Sequence, residues 1–165
     1  MINISPIAAE VLPRVQQIAQ QTWPDTFGKI LSPNQIAYML KLIYSLEELE
    51  RQMENGVTFL LATEGEIELG FAGFELNYAG APKAKLHKLY LLPSAQGKGL
   101  GKKLLLDVAD RARKAGQKSL LLNVNKYNHP AIDFYLRMGF DEIYKEVIDI
   151  GSGYVMDDLV MELML

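Results

Sequence analysis

The chain of 165 residues contains no cysteine. That absence excludes disulfides, thiolate metal sites and a covalent route through an acyl-cysteine. Histidine is nearly as scarce: His87 and His129 are the only two and stand far apart, which argues against a metal centre. No apolar run approaches the ~20 residues needed to cross a bilayer. Residues 1–6 lack the basic start and long apolar stretch of a secretory leader. A soluble cytoplasmic protein without membrane partners is expected. Net charge is only −3, so bulk electrostatics gives no case for nucleic acid. There is no internal repeat, low-complexity tract or linker. The length and an apolar fraction of 49% fit one domain over residues 1–165 with a real core.

What is present concentrates near the middle of the chain. Leu89-Tyr90-Leu91-Leu92-Pro93 reads as an apolar strand ending in proline. A glycine-rich basic loop follows, Gln96-Gly97-Lys98-Gly99-Leu100-Gly101-Lys102-Lys103, and opens an amphipathic helix. Such a layout presents backbone amides and a helix dipole to a pyrophosphate, with glycine permitting close approach. Spacing removes two familiar phosphate loops. A Walker A motif needs glycine where Gln96 stands and Ser or Thr where Lys103 stands. A dinucleotide fingerprint needs glycine at Lys102 or Leu104. What remains is Gln96-x-x-Gly99-x-Gly101, and a second constellation lies downstream: Asn128-x-x-Ala131-x-x-x-Tyr135-x-x-x-Gly139-Phe140.

In both blocks, and in their order, the chain resembles the GNAT superfamily of acyl-CoA-dependent N-acyltransferases. Its two signatures are Arg/Gln-x-x-Gly-x-Gly/Ala and Asn-x-x-Ala-x-x-x-Tyr-x-x-x-Gly-Phe. The resemblance is close over residues 86–143 and looser elsewhere. The segment 22–54 is similar to bacterial members near the polyamine acetyltransferases.

The rest of the chain reads as follows. Residues 1–5 form an edge strand and 7–22 a helix, with Pro13 an awkward interior member. Residues 23–28, Trp-Pro-Asp-Thr-Phe-Gly, read as a loop. Ser32-Pro33-Asn34-Gln35 and Ser45-Leu46-Glu47-Glu48 are two helix starts, with the second helix ended by Asn55-Gly56. Strands follow at 57–63, 67–78 and 83–92, and Gly70 and Gly73 suggest a bulge or close approach. A long helix at 99–115 precedes a strand at 119–124 and a short helix at 131–140. Strands at 142–149 and 158–165 close the chain, with 151–154 a loop between them. The order predicts an α+β (mixed α/β) fold with one mixed sheet covered by helices. The resemblance implies more: a mostly antiparallel sheet whose strands before and after the long helix splay apart, with acyl-CoA in the gap.

The resemblance also implies direct acetyl transfer from acetyl-CoA to an amine, without a metal. The pyrophosphate would lie on Gln96, Gly97, Lys98, Gly99, Leu100, Gly101 and Lys102. Pantetheine would pair with the backbone of Leu89, Tyr90 and Leu91, and the Leu91 amide would polarise the thioester carbonyl. Asn128 would hold the donor through its side-chain amide, with Asn123 on the second splayed strand. Tyr135 is the candidate general acid for the leaving thiolate. Many relatives carry a basic glutamate on a splayed strand. Here the matching positions hold Asn123 and, near the other, Lys85. His87 has a suitable unperturbed pKa and shares a face with Lys85 by strand periodicity. A water chain to solvent is the alternative base. For the acceptor, a small-molecule amine or a peptide N-terminus, Trp23, Phe27 and Tyr154 supply aromatics and Asp157 and Asp158 supply acids, a mixture that suits a cation. A non-catalytic acyl-CoA sensor of the same fold is the alternative function, and a homodimer through the last strands is common in the superfamily.

Overall fold

The computed structural model describes all residues, Met1–Leu165. Strand β1 (Ile2–Pro6) lies at one edge of a seven-stranded sheet. Next come α1 (Leu12–Phe27), α2 (Pro33–Tyr44) and α3 (Leu46–Glu54), and then the antiparallel run β2 (Val57–Glu64), β3 (Ile67–Glu75) and β4 (Lys83–Leu91). Helix α4 (Leu100–Lys114) leads to β5 (Ser119–Asn125), α5 (His129–Arg137) and the closing hairpin of β6 (Asp141–Gly151) and β7 (Tyr154–Met164). Strand order is β1-β2-β3-β4-β5-β7-β6, and only the β4–β5 contact is parallel.

Local chemistry accounts for most boundaries. Ser32 Oγ accepts from the Gln35 amide at 3.1 Å and Ser45 Oγ from the Glu48 amide at 3.2 Å, the capping bonds expected of both starts. Pro13 falls in the first turn of α1, where its missing N–H is harmless, and is not an interior residue. The expected loop at 23–28 is instead the last turn of α1, with Pro24 inside the helix. An interior proline costs about 3 kcal/mol. Burial of Trp23 and Phe27, one helical turn apart, opposes that cost, each such ring contributing about 2–3 kcal/mol. Their centroids lie 4.7 Å apart and pack on the rings of Tyr44 and Tyr90. The loop expected at 151–154 shrinks to a two-residue turn at Ser152-Gly153, both at positive φ, so Tyr154 to Asp157 belong to β7.

The sheet separates two cores. On one face Leu100, Leu104, Leu105 and Val108 of α4 pack on Leu86, Leu120 and Leu122, with Tyr135 and Phe140. On the other, α1–α3 cover Phe59, Leu61 and Phe71. Two features of β4 position the site. It pairs with β5 only from Lys83↔Ser119 to Leu86↔Leu122, beyond which the strands splay. One residue, His87, is also bulged out of the β3 register, because Gly73 faces Lys88 while Phe74 faces Leu86. Gly73 permits this close passage: a Cβ there would press on the Phe59 ring at 3.3 Å.

Candidate active site

Where β4 and β5 part, a cavity of about 310 Å³ runs through the sheet. Its walls come from both faces: Asn128, Ala131 and Tyr135 from the α5 side, Trp23, Phe27, Met39 and Tyr44 from the α1–α2 side. The bulge sets what β4 contributes. Lys85 lies on the α1–α3 face, and because His87 is supernumerary, Lys88 and Tyr90 return to that same face while Leu89 and Leu91 pack towards α4.

Four polar groups of the cavity, Lys85, Asn123, Glu146 and Asp158, form one connected cluster. Lys85 Nζ donates to Asn123 Oδ1. The Asn123 amide donates to Glu146 Oε2 at 2.9 Å and to Asp158 Oδ2 at 3.2 Å, carboxylates on the paired strands β6 and β7. Asp158 is 3% exposed, and burial holds its pKa above the usual carboxylate range, opposed by the Asn123 bond. Burial likewise lowers the Lys85 pKa, opposed by Glu146 and Asp158. Lys88 has no carboxylate partner. Its ammonium donates to Gln52 Oε1 at 2.6 Å beneath the rings of Tyr44 and Phe59, and burial lowers its pKa to about 8.

On the α4–α5 side, Tyr135 is 8% exposed against Phe134 and Phe140, and burial pushes its phenol pKa up. Asn128 caps α5 by accepting from the Ala131 amide at 3.4 Å, which leaves its Nδ2 free as a donor. The glycine-rich loop is exposed from Gln96 to Gly99. Gly97 (φ 76°) and Gly99 (φ 78°) are left-handed, a conformation that costs other residues about 1–2 kcal/mol. Gly99 caps α4 without a side-chain bond, so the first amides of α4 point outward unpaired. Gln96 Nε2 donates to the Leu91 carbonyl at 3.3 Å, tying the loop to the end of β4.

The model of the Acetyltransferase (GNAT) family matches residues 12–140. The chain belongs to the GNAT family of acetyltransferases. It is 30% identical over 162 residues to a spermidine N(1)-acetyltransferase of Thermoplasma acidophilum, covering 94% of this chain and 96% of that one. It is 26% identical over 166 residues to an uncharacterised N-acetyltransferase of Lactobacillus delbrueckii subsp. lactis, covering 96% and 95%. The crystal structure of the PaiA N-acetyltransferase of T. acidophilum, in complex with coenzyme A, superposes with a TM-score of 0.83 at 28% identity, covering 100% of this chain and 99% of that one. The sheet and flanking helices are those of the GNAT fold.

Within this GNAT domain the residues singled out in the sequence fall into two groups. Trp23, Phe27, His87, Leu89, Tyr90, Asn123, Asn128, Tyr135 and Asp158 all line the cavity. Leu91, Gln96, Gly97, Lys98, Gly99, Leu100, Gly101, Lys102, Tyr154 and Asp157 do not. Tyr154 stacks on Tyr38 (5.2 Å), whose hydroxyl donates to the Ile150 carbonyl at 2.6 Å, and Gln35 donates to the Val155 carbonyl, so this end of the hairpin is pinned to α2. Asp157 pairs with Lys126 at 2.6 Å. His87 Nε2 lies 2.9 Å from Glu75 Oε1, and burial lowers its pKa. Glu146 and Lys88 were not foreseen. Strand alternation in β6 does place Glu146 with Ile148 on one face, a legible signal. Lys88 depends on the bulge, since unbroken alternation would turn it towards α4.

Proposed function

We propose that this GNAT protein moves the acetyl group of acetyl-CoA directly onto a primary amine, its acceptor being a polyamine or another small cationic amine. The observation that carries this reading is the through-sheet cavity, with Asn128 and Tyr135 on one side and Glu146 and Asp158 on the other. The residues present suit the donor. Open left-handed glycines and unpaired α4 amides, with Lys98 and Lys102 beside them, fit a pyrophosphate. Beyond Leu86 the β5-facing edge of β4 is free to pair with pantetheine through Leu89, Tyr90 and Leu91, and the Leu91 amide polarises the thioester carbonyl. Asn128 Nδ2 adds a side-chain donor. Tyr135, kept protonated by burial, gives its proton to the leaving thiolate.

On the acceptor side, Trp23, Phe27 and Tyr90 form an aromatic wall beside two carboxylates, a setting that favours a cation. The likeness to a spermidine acetyltransferase supports the same class. A cytoplasmic location accompanies this donor. The free outer edge of β6, with Tyr144 and Val147 exposed, supports a homodimer, which light scattering would test. The function is tested by CoA release with a panel of polyamines, amino acids and peptides bearing free N-termini. Preferred turnover of polyamines is expected. Turnover of peptides alone would move the acceptor to protein N-termini. CoA binding without turnover would make the protein a sensor.

A further inference from the structure

We propose that Asp158 is the general base of the transfer, supplied from β7 in place of the carboxylate that the splayed strands β4 and β5 lack. The inference rests on the acyl-transfer reading and assigns a step within it.

Three observations carry it. Asp158 lines the cavity opposite Asn125 and diagonal to Asn123 on β5, and the Asn123 amide holds its Oδ2 at 3.2 Å. An asparagine where a carboxylate would serve thus orients one from the neighbouring strand. The other oxygen, Oδ1, accepts no hydrogen bond from the protein. Trp23 Nε1 is the one fully buried side-chain nitrogen or oxygen without a partner, so Oδ1 retains access to the cavity. The competing groups are directed elsewhere: His87 Nε2 to Glu75, and Lys88 Nζ to Gln52 on α3.

The charged and titratable neighbours of Asp158 are Glu146 on β6, Lys85 and Tyr90 on β4, and Asp157 on β7 itself. Burial is the largest influence on Asp158 and makes it a stronger proton acceptor than an exposed aspartate. Glu146, half-buried beside it, remains to hold a positive acceptor in place.

The step balances as follows. The acceptor ammonium gives one proton to Asp158 Oδ1. The freed lone pair forms the C–N bond at the thioester carbonyl. The C–S bond breaks with its electron pair on sulfur, and sulfur takes the Tyr135 proton. The second proton leaves nitrogen as the amide forms and restores Tyr135, while Asp158 returns its proton to solvent. The products are the N-acetyl amine, free CoA and one proton.

The test is the pH dependence of kcat/KM for purified full-length protein with acetyl-CoA and the best amine of the panel. In the Asp158→Asn variant, kcat is expected to fall at least thirtyfold at pH 7. Its activity should climb about tenfold per pH unit towards the amine pKa of ~10.4, while CoA affinity by calorimetry stays within twofold. Asn123→Leu should shift the acid limb of the wild-type profile to higher pH, since it removes the bond that favours the ionised carboxylate. That displacement also tests the assignment if Asp158→Asn fails to fold. Glu146→Gln should raise acceptor KM more than it lowers kcat. An Asp158→Asn enzyme with unchanged kcat and acid limb, or one altered only in acceptor KM, overturns the base while leaving the transferase intact. A wild-type protein that binds CoA and acetylates no amine overturns both.

Discussion

Replacing Lys88 with methionine should stabilise the protein. The Lys88 ammonium lies beneath two aromatic rings with a neutral amide as its hydrogen-bond partner, and it titrates at about 8 instead of 10.5. At about 1.4 kcal/mol per pH unit, holding the charge at pH 7 costs the folded state about 3 kcal/mol. Methionine keeps an unbranched apolar stem of similar length but leaves Gln52 Oε1 without its donor, a loss of roughly 1 kcal/mol. The net gain is about 2 kcal/mol, or roughly 4–8 °C in Tm for a chain of this size. The sign of the pH dependence follows from the depressed pKa. Between pH 8 and 10.5 the unfolded chain binds more protons at this residue than the folded one, so wild-type stability rises through that window. Urea unfolding of both proteins at several pH values from 7 to 10.5 isolates this residue, because every other group is shared. The advantage of Lys88→Met should be largest at pH 7 and shrink towards pH 10.5. Parallel curves, or a less stable variant at pH 7, would refute the burial argument.

Other substitutions probe the site. Tyr135→Phe should lower kcat at least tenfold at saturating acceptor and leave CoA affinity nearly unchanged; steady-state kinetics with calorimetry decides, and an unaltered kcat sinks the acid assignment. Gly99→Ala should raise KM for acetyl-CoA severalfold and cost about 1 kcal/mol in urea melts, because its φ of 78° penalises any Cβ although nothing lies within 4 Å of it. Asp157→Asn should leave acceptor preference as it was, since that carboxylate pairs with Lys126 outside the cavity; a lost polyamine preference would contradict the geometry. Trp23→Ala should cost about 3–5 kcal/mol by opening a void among Phe27, Tyr44 and Tyr90, read as a fall in the urea midpoint.

Much of this fold was legible because its signals are local. Two serine caps, a proline after an apolar strand and a run of glycines each act over a few residues, and they located α2, α3, the end of β4 and the start of α4. The misread segments are those where distant packing overrides a local preference. Pro24 and Gly28 argue for a loop, yet the aromatics preceding each of them, Trp23 and Phe27, are held by Tyr44 and Tyr90 from elsewhere in the chain. Tyr154 and Asp157 looked like cavity residues by composition. Their neighbours, Tyr38 and Lys126, are fixed by hairpin register and docking. The candidate base was hidden for the same reason: nothing near Asp158 in sequence announces Asn123 or Glu146.

The bulge at His87 acts as a parity switch in the strand that lies between the two cores. Before it, odd-numbered residues of β4 face the α1–α3 side; after it, even-numbered ones do. Deleting that one residue would leave every later side chain on its present face, whereas drawing it into the ladder would turn the far end of the strand inside out. With the bulge straightened, Leu89 and Leu91 would face α1–α3, and Tyr90 and Lys88 would be driven into the α4 core. The strand can therefore lose its extra residue and keep each later side chain on its side, but it cannot iron out the bulge at full length without exchanging its two faces.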